Sequence, residues 1–289
     1  MATVIESNDA FTAFWNDILV PKFERFRNIM LDGLSYHSRV PLERLTLPAG
    51  TNALDVGCGW GDTAIELARK VGPFGKVVGL DCCDAFLEKG RRDAAAEGLA
   101  NVRFVVADVQ SYRFEREFDF CFSRFGMMFF ANPVVAMRNV RSALRPGATL
   151  MFVTWRSLDD NPWFGIPKAI VLEFLPPPGE NAQTCGPGPF SMANADVVRA
   201  QLEAAGFVEP AFTRVDGPIM VGRDVDQAID MQMALGPAGE IVREAGAIAD
   251  SRKNEIQHAL RSEIGRYRAA DGSIWMESSS WTITARNPG

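Results

Sequence analysis

From Thr51 onward, short continuous apolar runs alternate with segments whose apolar positions recur at helical spacing. The pattern predicts strands over Asn52–Val56, Lys76–Leu80 and Val102–Ala107, separated by helices over Asp62–Val71 and Asp84–Glu97. Strands that are apolar throughout, alternating with alanine-rich helices, indicate a parallel sheet covered on both faces. Two further strand-like runs, Phe118–Ser123 and Leu150–Trp155, flank a helix opened by Asn132-Pro133 in cap and first-position order. Upstream, Phe11, Phe14, Trp15, Ile18 and Leu19 share one helical face, and Phe23, Phe26, Ile29, Met30 and Leu34 continue it beyond Pro21.

After Trp155 the alternation fails. Arg156 to Phe190 carry Pro162, Pro167, Pro176, Pro177, Pro178, Pro187 and Pro189, which leaves one helical piece around Phe164–Phe174 in an ordered loop. Ala193–Ala205 with Gly206 behind it has the form of a helix and its stop. Phe207–Met220 and Ile274–Arg286 alternate as strands do, and Arg223–Ala270 between them is charged and helical in period.

Candidate chemistry gathers at the predicted carboxyl ends of the strands. Leu54-Asp55-Val56-Gly57-Cys58-Gly59-Trp60-Gly61-Asp62 is a strand, a glycine turn and a helix start, where a ligand can touch backbone N–H groups. A dinucleotide fingerprint would carry a further glycine where Asp62 stands. A carboxylate there is expected to cap the helix itself, to repel a pyrophosphate and to tolerate a ligand carrying positive charge. This first motif, with Val77-Val78-Gly79-Leu80-Asp81, Phe104-Val105-Val106-Ala107-Asp108-Val109, Phe118–Ser123 and Leu144–Leu150, resembles the class I S-adenosylmethionine-dependent methyltransferases. The run Ser123–Phe130 narrows the resemblance toward bacterial small-molecule methyltransferases of ubiquinone and menaquinone biosynthesis.

The resemblance implies a Rossmann-like α/β fold: a seven-stranded, mostly parallel sheet with a terminal antiparallel hairpin, plus helical cap insertions. It implies S-adenosyl-L-methionine as cofactor and S-adenosyl-L-homocysteine as product. Asp81 would hold the ribose hydroxyls and Asp108 would face the adenine. Asp55, Gly57, Cys58, Gly59, Gly61, Cys82, Val109 and Ser123 would complete the cofactor site, with Trp15 and Tyr36 reaching it from the N-terminal helices. His37 and Arg124 are the candidate catalytic residues, the first as a base and the second for a substrate oxygen, with Tyr36 and His258 as further titratable groups. For Trp15 and His37 the plainer alternative is core packing, and for Arg124 an ion pair with the N-terminal helices.

The predicted organisation has residues 1–50 as helices over the cofactor, 51–222 and 272–289 as the core, and 223–271 as a helical insertion. The insertion is a candidate substrate cap, its alternative being a helical pair outside the sheet that could serve a homodimer. A net charge of -6 with a pI near 5.1 supplies no basic field, so nucleic acid is not an expected partner. The cysteines Cys58, Cys82, Cys83, Cys121 and Cys185 form no C-x-x-C pair and no zinc spacing, so no metal is expected and a reducing cytoplasm is the expected home. Met1 to Ala10 lacks a basic head followed by an apolar run, and no integral membrane segment is expected. The expected reaction is methyl transfer to a small apolar or aromatic molecule. Two alternatives stand beside it: a methyltransferase-like protein that binds cofactor without turnover, and a dinucleotide-dependent oxidoreductase.

Overall fold

The computed structural model describes residues 9–289, so residues 1–8 of the N-terminal segment lie outside the described residues. The N-terminal part is α1 (Asp9–Phe14), a π-helical turn (Trp15–Leu19), α2 (Val20–Arg25) and α3 (Arg27–Arg44). The helical segments continue past Pro21 as predicted. In the wide turn Val20 N–H reaches back to Trp15 O, and Pro21 falls in the first turn of α2, where its missing N–H is not needed.

The core follows as β1 (Asn52–Val56), α4 (Asp62–Val71), β2 (Lys76–Asp81), α5 (Asp84–Ala96), β3 (Val102–Val106), β4 (Phe118–Arg124), α6 (Pro133–Ala143) and β5 (Leu144–Trp155). Then come α7 (Pro162–Leu172), α8 (Ala195–Ala204), β6 (Val208–Gly222), α9 (Val225–Ala234), α10 (Gly236–Ala245), α11 (Ala247–Ile264) and β7 (Ile274–Arg286). The sheet order is β3-β2-β1-β4-β5-β7-β6. β1 to β5 pair in parallel, and β7 runs antiparallel to both β5 and β6. The chain moves outward through β1, β2 and β3, then returns to the other side of β1 for β4. The loops after β1 and β4 therefore diverge and leave a crevice at that switch point.

Burial follows the pattern that predicted the strands. Leu54, Val56, Leu80, Phe120, Phe122, Leu150 and Phe152 are buried in the sheet, under Leu67, Leu87 and Met137 of the covering helices. α3 lies across β6 and β7: Tyr36 packs on Gly217, and His37 bonds Ser278 and Ser280. The insertion α9–α11 is helical as predicted, and Ile229, Met231, Ile241, Ile256 and Leu260 bury its inner face in the continuous core. Among the described residues no helix is long and apolar enough to cross a membrane.

Candidate active site

The crevice is built from the glycine turn upward. Gly57 follows β1 at φ +64, and a Cβ added to it would lie 2.9 Å from Gly126 Cα in the loop after β4. Backbone meets backbone there, which only a residue without a side chain allows. The turn is tied to its neighbour by Gly57 N–H and Cys58 N–H, both donating to Leu80 O at 2.7 and 3.1 Å. Gly61, at φ +80, lies away from the crevice against Phe104 and Gly90 and brings α4 close to the sheet.

Asp81 ends β2 beside this turn. One carboxylate oxygen accepts from Gly59 N–H and the other from Cys83 N–H, each at 2.9 Å. Burial raises the carboxyl above its usual range, and these backbone donors pull it back. Cys82 N–H and the Cys83 thiol also act on this carboxylate, so hydroxyl groups of a ligand would share its acceptor positions with these donors. Asp108 accepts from Gln110 N–H at 3.0 Å and stands with Ala107 and Val109 on the same wall.

A cavity of about 460 Å³ opens over these residues. Gly57, Cys58, Gly59, Asp81, Cys82, Asp108, Val109, Trp15 and Arg124 all line it, so the structure brings these predicted residues together. Its remaining walls are mostly aromatic. Phe125 stacks on Trp155 with ring centroids 4.0 Å apart, and Trp163 and Phe164 of α7 adjoin them. Phe125 is a non-glycine residue at φ +58, a conformation costing about 1–2 kcal/mol that the surrounding rings hold in place. Across the cavity stand Leu19, Phe23 and Met30 from the N-terminal helices and Met231 and Leu235 from the insertion. A strap of chain, residues 182–190, closes one side. It is tied by Trp15 Nε1–H to Cys185 O at 3.1 Å and by Arg243 to Gln183 O at 2.7 Å.

Other predicted site residues lie elsewhere. Asp55 is fully buried beneath the turn, where Thr63 Oγ1 donates to it at 2.5 Å, and it does not reach the cavity. Ser123 is likewise sealed under Gly126. Tyr36 hydroxyl donates to Asp216 O on the far side of β6 and is not on the cavity wall. His37 is fully buried behind Phe125 and Trp155, with its two ring nitrogens on Ser278 and Ser280 at 2.7 and 2.8 Å. Burial holds its pKa down at about 4, so it is neutral, paired and without a path to the cavity. His258 is exposed on α11. Asp62 does not cap α4; its carboxylate takes a two-point contact from Arg124 at 2.8 Å, while Ser38 meets Arg124 at 3.2 Å. Arg124 is thus paired with the start of α4 rather than with a carboxylate of the N-terminal helices.

Two buried groups give stability an opposed dependence on pH. Desolvation raises Asp55 to about 7, so the folded state holds a proton that the unfolded chain releases near 3.8, and stability is lost as pH rises through that window. His37 acts in the other direction, costing stability as pH falls from 6.5 toward about 4. Asp55→Asn keeps an acceptor for Thr63 and leaves His37 untouched, so the His37 contribution cancels between the two proteins. The variant's advantage over wild type is expected to grow from pH 4.5 to pH 7 by on the order of 1 kcal/mol per unit. Urea midpoints at both pH values check this, and parallel curves for the two proteins would refute it.

Comparison with known proteins agrees with this geometry. Residues 53–147 match the family described as a methyltransferase domain. A demethylmenaquinone methyltransferase from Staphylococcus aureus is 28% identical over 198 residues, covering 65% of this chain and 80% of the relative. Among solved structures, a protein from Bacillus halodurans C-125 assigned as a methyltransferase superposes with a TM-score of 0.57 at 19% identity, over 88% of this chain and all of that one. Phosphoethanolamine N-methyltransferase 2 from Haemonchus contortus, solved with S-adenosyl-L-methionine, gives 0.59 at 15% identity, over 99% of this chain and 61% of that one. The resemblance read from the motifs is borne out: the chain is an S-adenosylmethionine-dependent methyltransferase with the class I fold.

Proposed function

We propose that this methyltransferase acts on a small apolar or aromatic molecule, of the quinone type or a related secondary metabolite. The observation that carries the reading is the composition of the cavity: polar groups of the strand ends line one side, and a cluster of aromatic and methionine side chains faces them, with Glu240, Arg243 and Glu244 beside the strap. When bound, the cofactor supplies a methyl group on a positively charged sulfur. Gly57, Cys58 and Gly59 present backbone without bulk, Asp81 has acceptor capacity for two hydroxyls, and Asp108 and Val109 flank the adenine position. Cys82 and Trp15 complete the enclosure. This donor set fits the cofactor on the structure's own terms, because the space over Gly59 is open and the Asp81 carboxylate stands on the same cavity wall.

The chain's part in the reaction is then positioning and exclusion of water. No histidine or tyrosine lines the cavity among the described residues, so an acceptor that does not arrive ionised would give its proton to a carboxylate of the wall, of which Glu240 and Glu244 stand apart from the cofactor residues. Arg124, neutralised by Asp62, serves to hold the β4 loop to α4 beside the glycine turn. Residues 9–50 and 223–271 are proposed as the cover of the site, the first over the cofactor side and the second over the acceptor. We place the protein in the cytoplasm.

Calorimetry with S-adenosylhomocysteine and with NAD tests the cofactor side, with binding of the first at micromolar affinity or better and none of the second expected. Labelled methyl transfer to reduced demethylmenaquinone analogues and to simple naphthols tests the acceptor side. Transfer only to hydrophilic amines would overturn the acceptor class.

A further inference from the structure

Two side chains of the cavity wall carry a nitrogen that is buried without a partner, each just behind the wall and within a side-chain turn of the cavity. Gln232 on α9 is 2% exposed and lines the cavity between the apolar Met231 and Leu235, and its Nε2 meets no acceptor. Trp163 on α7 is 4% exposed, lines the same cavity and has an unpaired Nε1–H. Buried donors are almost always satisfied, because leaving one unmade costs about 1–3 kcal/mol. An apolar core residue would fit either position more cheaply. Two such donors on two different elements of one aromatic-walled cavity form a pattern that packing alone does not explain. The indole is a donor only, and the unpaired atom of the amide is its donor end, so both call for an acceptor atom. The polar groups at the strand ends belong to α4, β2, β3 and their loops, whereas Gln232 and Trp163 belong to the cover and the aromatic wall.

We propose that Gln232 and Trp163 are the specificity-determining donors of the acceptor site, and that they select a planar apolar molecule carrying a carbonyl or phenolate oxygen. The proposal rests on the acceptor class given above and sharpens it. A hydrocarbon of the same shape fills the cavity but leaves both donors unpaired; an oxygen-bearing ring system satisfies them on binding. The selection works through this difference.

The test uses full-length protein saturated with S-adenosylhomocysteine and two unreactive probes of one skeleton, 1-tetralone and tetralin, titrated by calorimetry or tryptophan fluorescence. Gln232→Leu removes the amide at nearly constant volume, and Trp163→Phe removes the indole N–H while keeping a ring. Each variant is expected to lower the affinity ratio of 1-tetralone to tetralin by about threefold to tenfold, with S-adenosylhomocysteine affinity unchanged. Gln232→Leu is also expected to melt no lower than wild type without ligand, since the donor it removes is unsatisfied there. Should that variant misfold, Trp163→Phe carries the test alone. The proposal is overturned by an unchanged ratio, by failure of both probes to bind, or by variants that weaken S-adenosylhomocysteine, which would place the donors on the cofactor. Failure of wild type to bind S-adenosylhomocysteine at all would instead sink the cofactor reading on which the assay depends.

Discussion

Asp81→Ala is expected to weaken S-adenosylhomocysteine binding by about ten- to a hundredfold and to lower the stability of the free protein by about 2 kcal/mol. The first effect follows from taking the charged acceptor away from two ribose hydroxyls. The second follows from the structure, where the same carboxylate already accepts from Gly59 N–H and Cys83 N–H and so holds the glycine turn in shape before any ligand arrives. From the motif alone a folded protein that merely binds weakly would be expected. The two backbone bonds make stability part of the prediction. Asp81→Asn retains one carbonyl oxygen and should fall between alanine and wild type on both measures. Calorimetry and thermal melts separate the effects, and wild-type affinity in Asp81→Ala would remove the ribose assignment.

Gly57→Ala should be more damaging still, with cofactor affinity reduced by more than a hundredfold and stability by roughly 2–4 kcal/mol. The new Cβ meets Gly126 Cα at 2.9 Å, and a backbone atom cannot rotate out of the way as a side chain can. It also forces an alanine to φ +64. Gly59→Ala is the control for the stability of the free protein, since its φ of +53 carries a similar conformational cost but a Cβ there has nothing within 4 Å. The difference between the two variants isolates the collision of the β1 and β4 loops. Equal losses in both would show that strain alone governs the turn.

The parts of the fold set by local pattern were legible in the sequence. β1, α4 and β7 have the predicted limits, because a buried parallel strand, a helix that starts at a glycine turn and an alternating edge pair each mark their own ends. The residues at the strand ends were legible for the same reason, since a parallel sheet places its carboxyl ends together. Tyr36 and His37 were not. They follow Trp15 along the N-terminal helices, but α3 passes over β6 and β7, and nothing in its helical spacing says which strands it will cross. The aromatic wall was missed in the same way. Trp155, Trp163, Phe164 and Phe86 reach one cavity from β5, α7 and α5, a convergence that only tertiary packing produces. The unpaired indole and amide gave no signal either, because an unmade hydrogen bond is invisible until the fold shows what stands around it.

The insertion also proved to be more than an appendage. A deletion joining Gly222 to Gly272 would strip Ile229, Met231, Ile241 and Leu260 from the core and uncover α7 and β6, so point substitutions on its inner face are the way to probe it.

The strap closes one side of the cavity on few polar ties. Its ties to Trp15 and Arg243 are single hydrogen bonds to main-chain carbonyls, each worth about 0.5–1.5 kcal/mol net. Releasing both costs on the order of 1–3 kcal/mol, to which the packing of Cys185 and Phe190 against the core adds. A Trp15→Phe protein, with one tie removed, is expected to exchange its ligands faster, and stopped-flow exchange rates equal to wild type would show that this side of the cavity is not the way in or out.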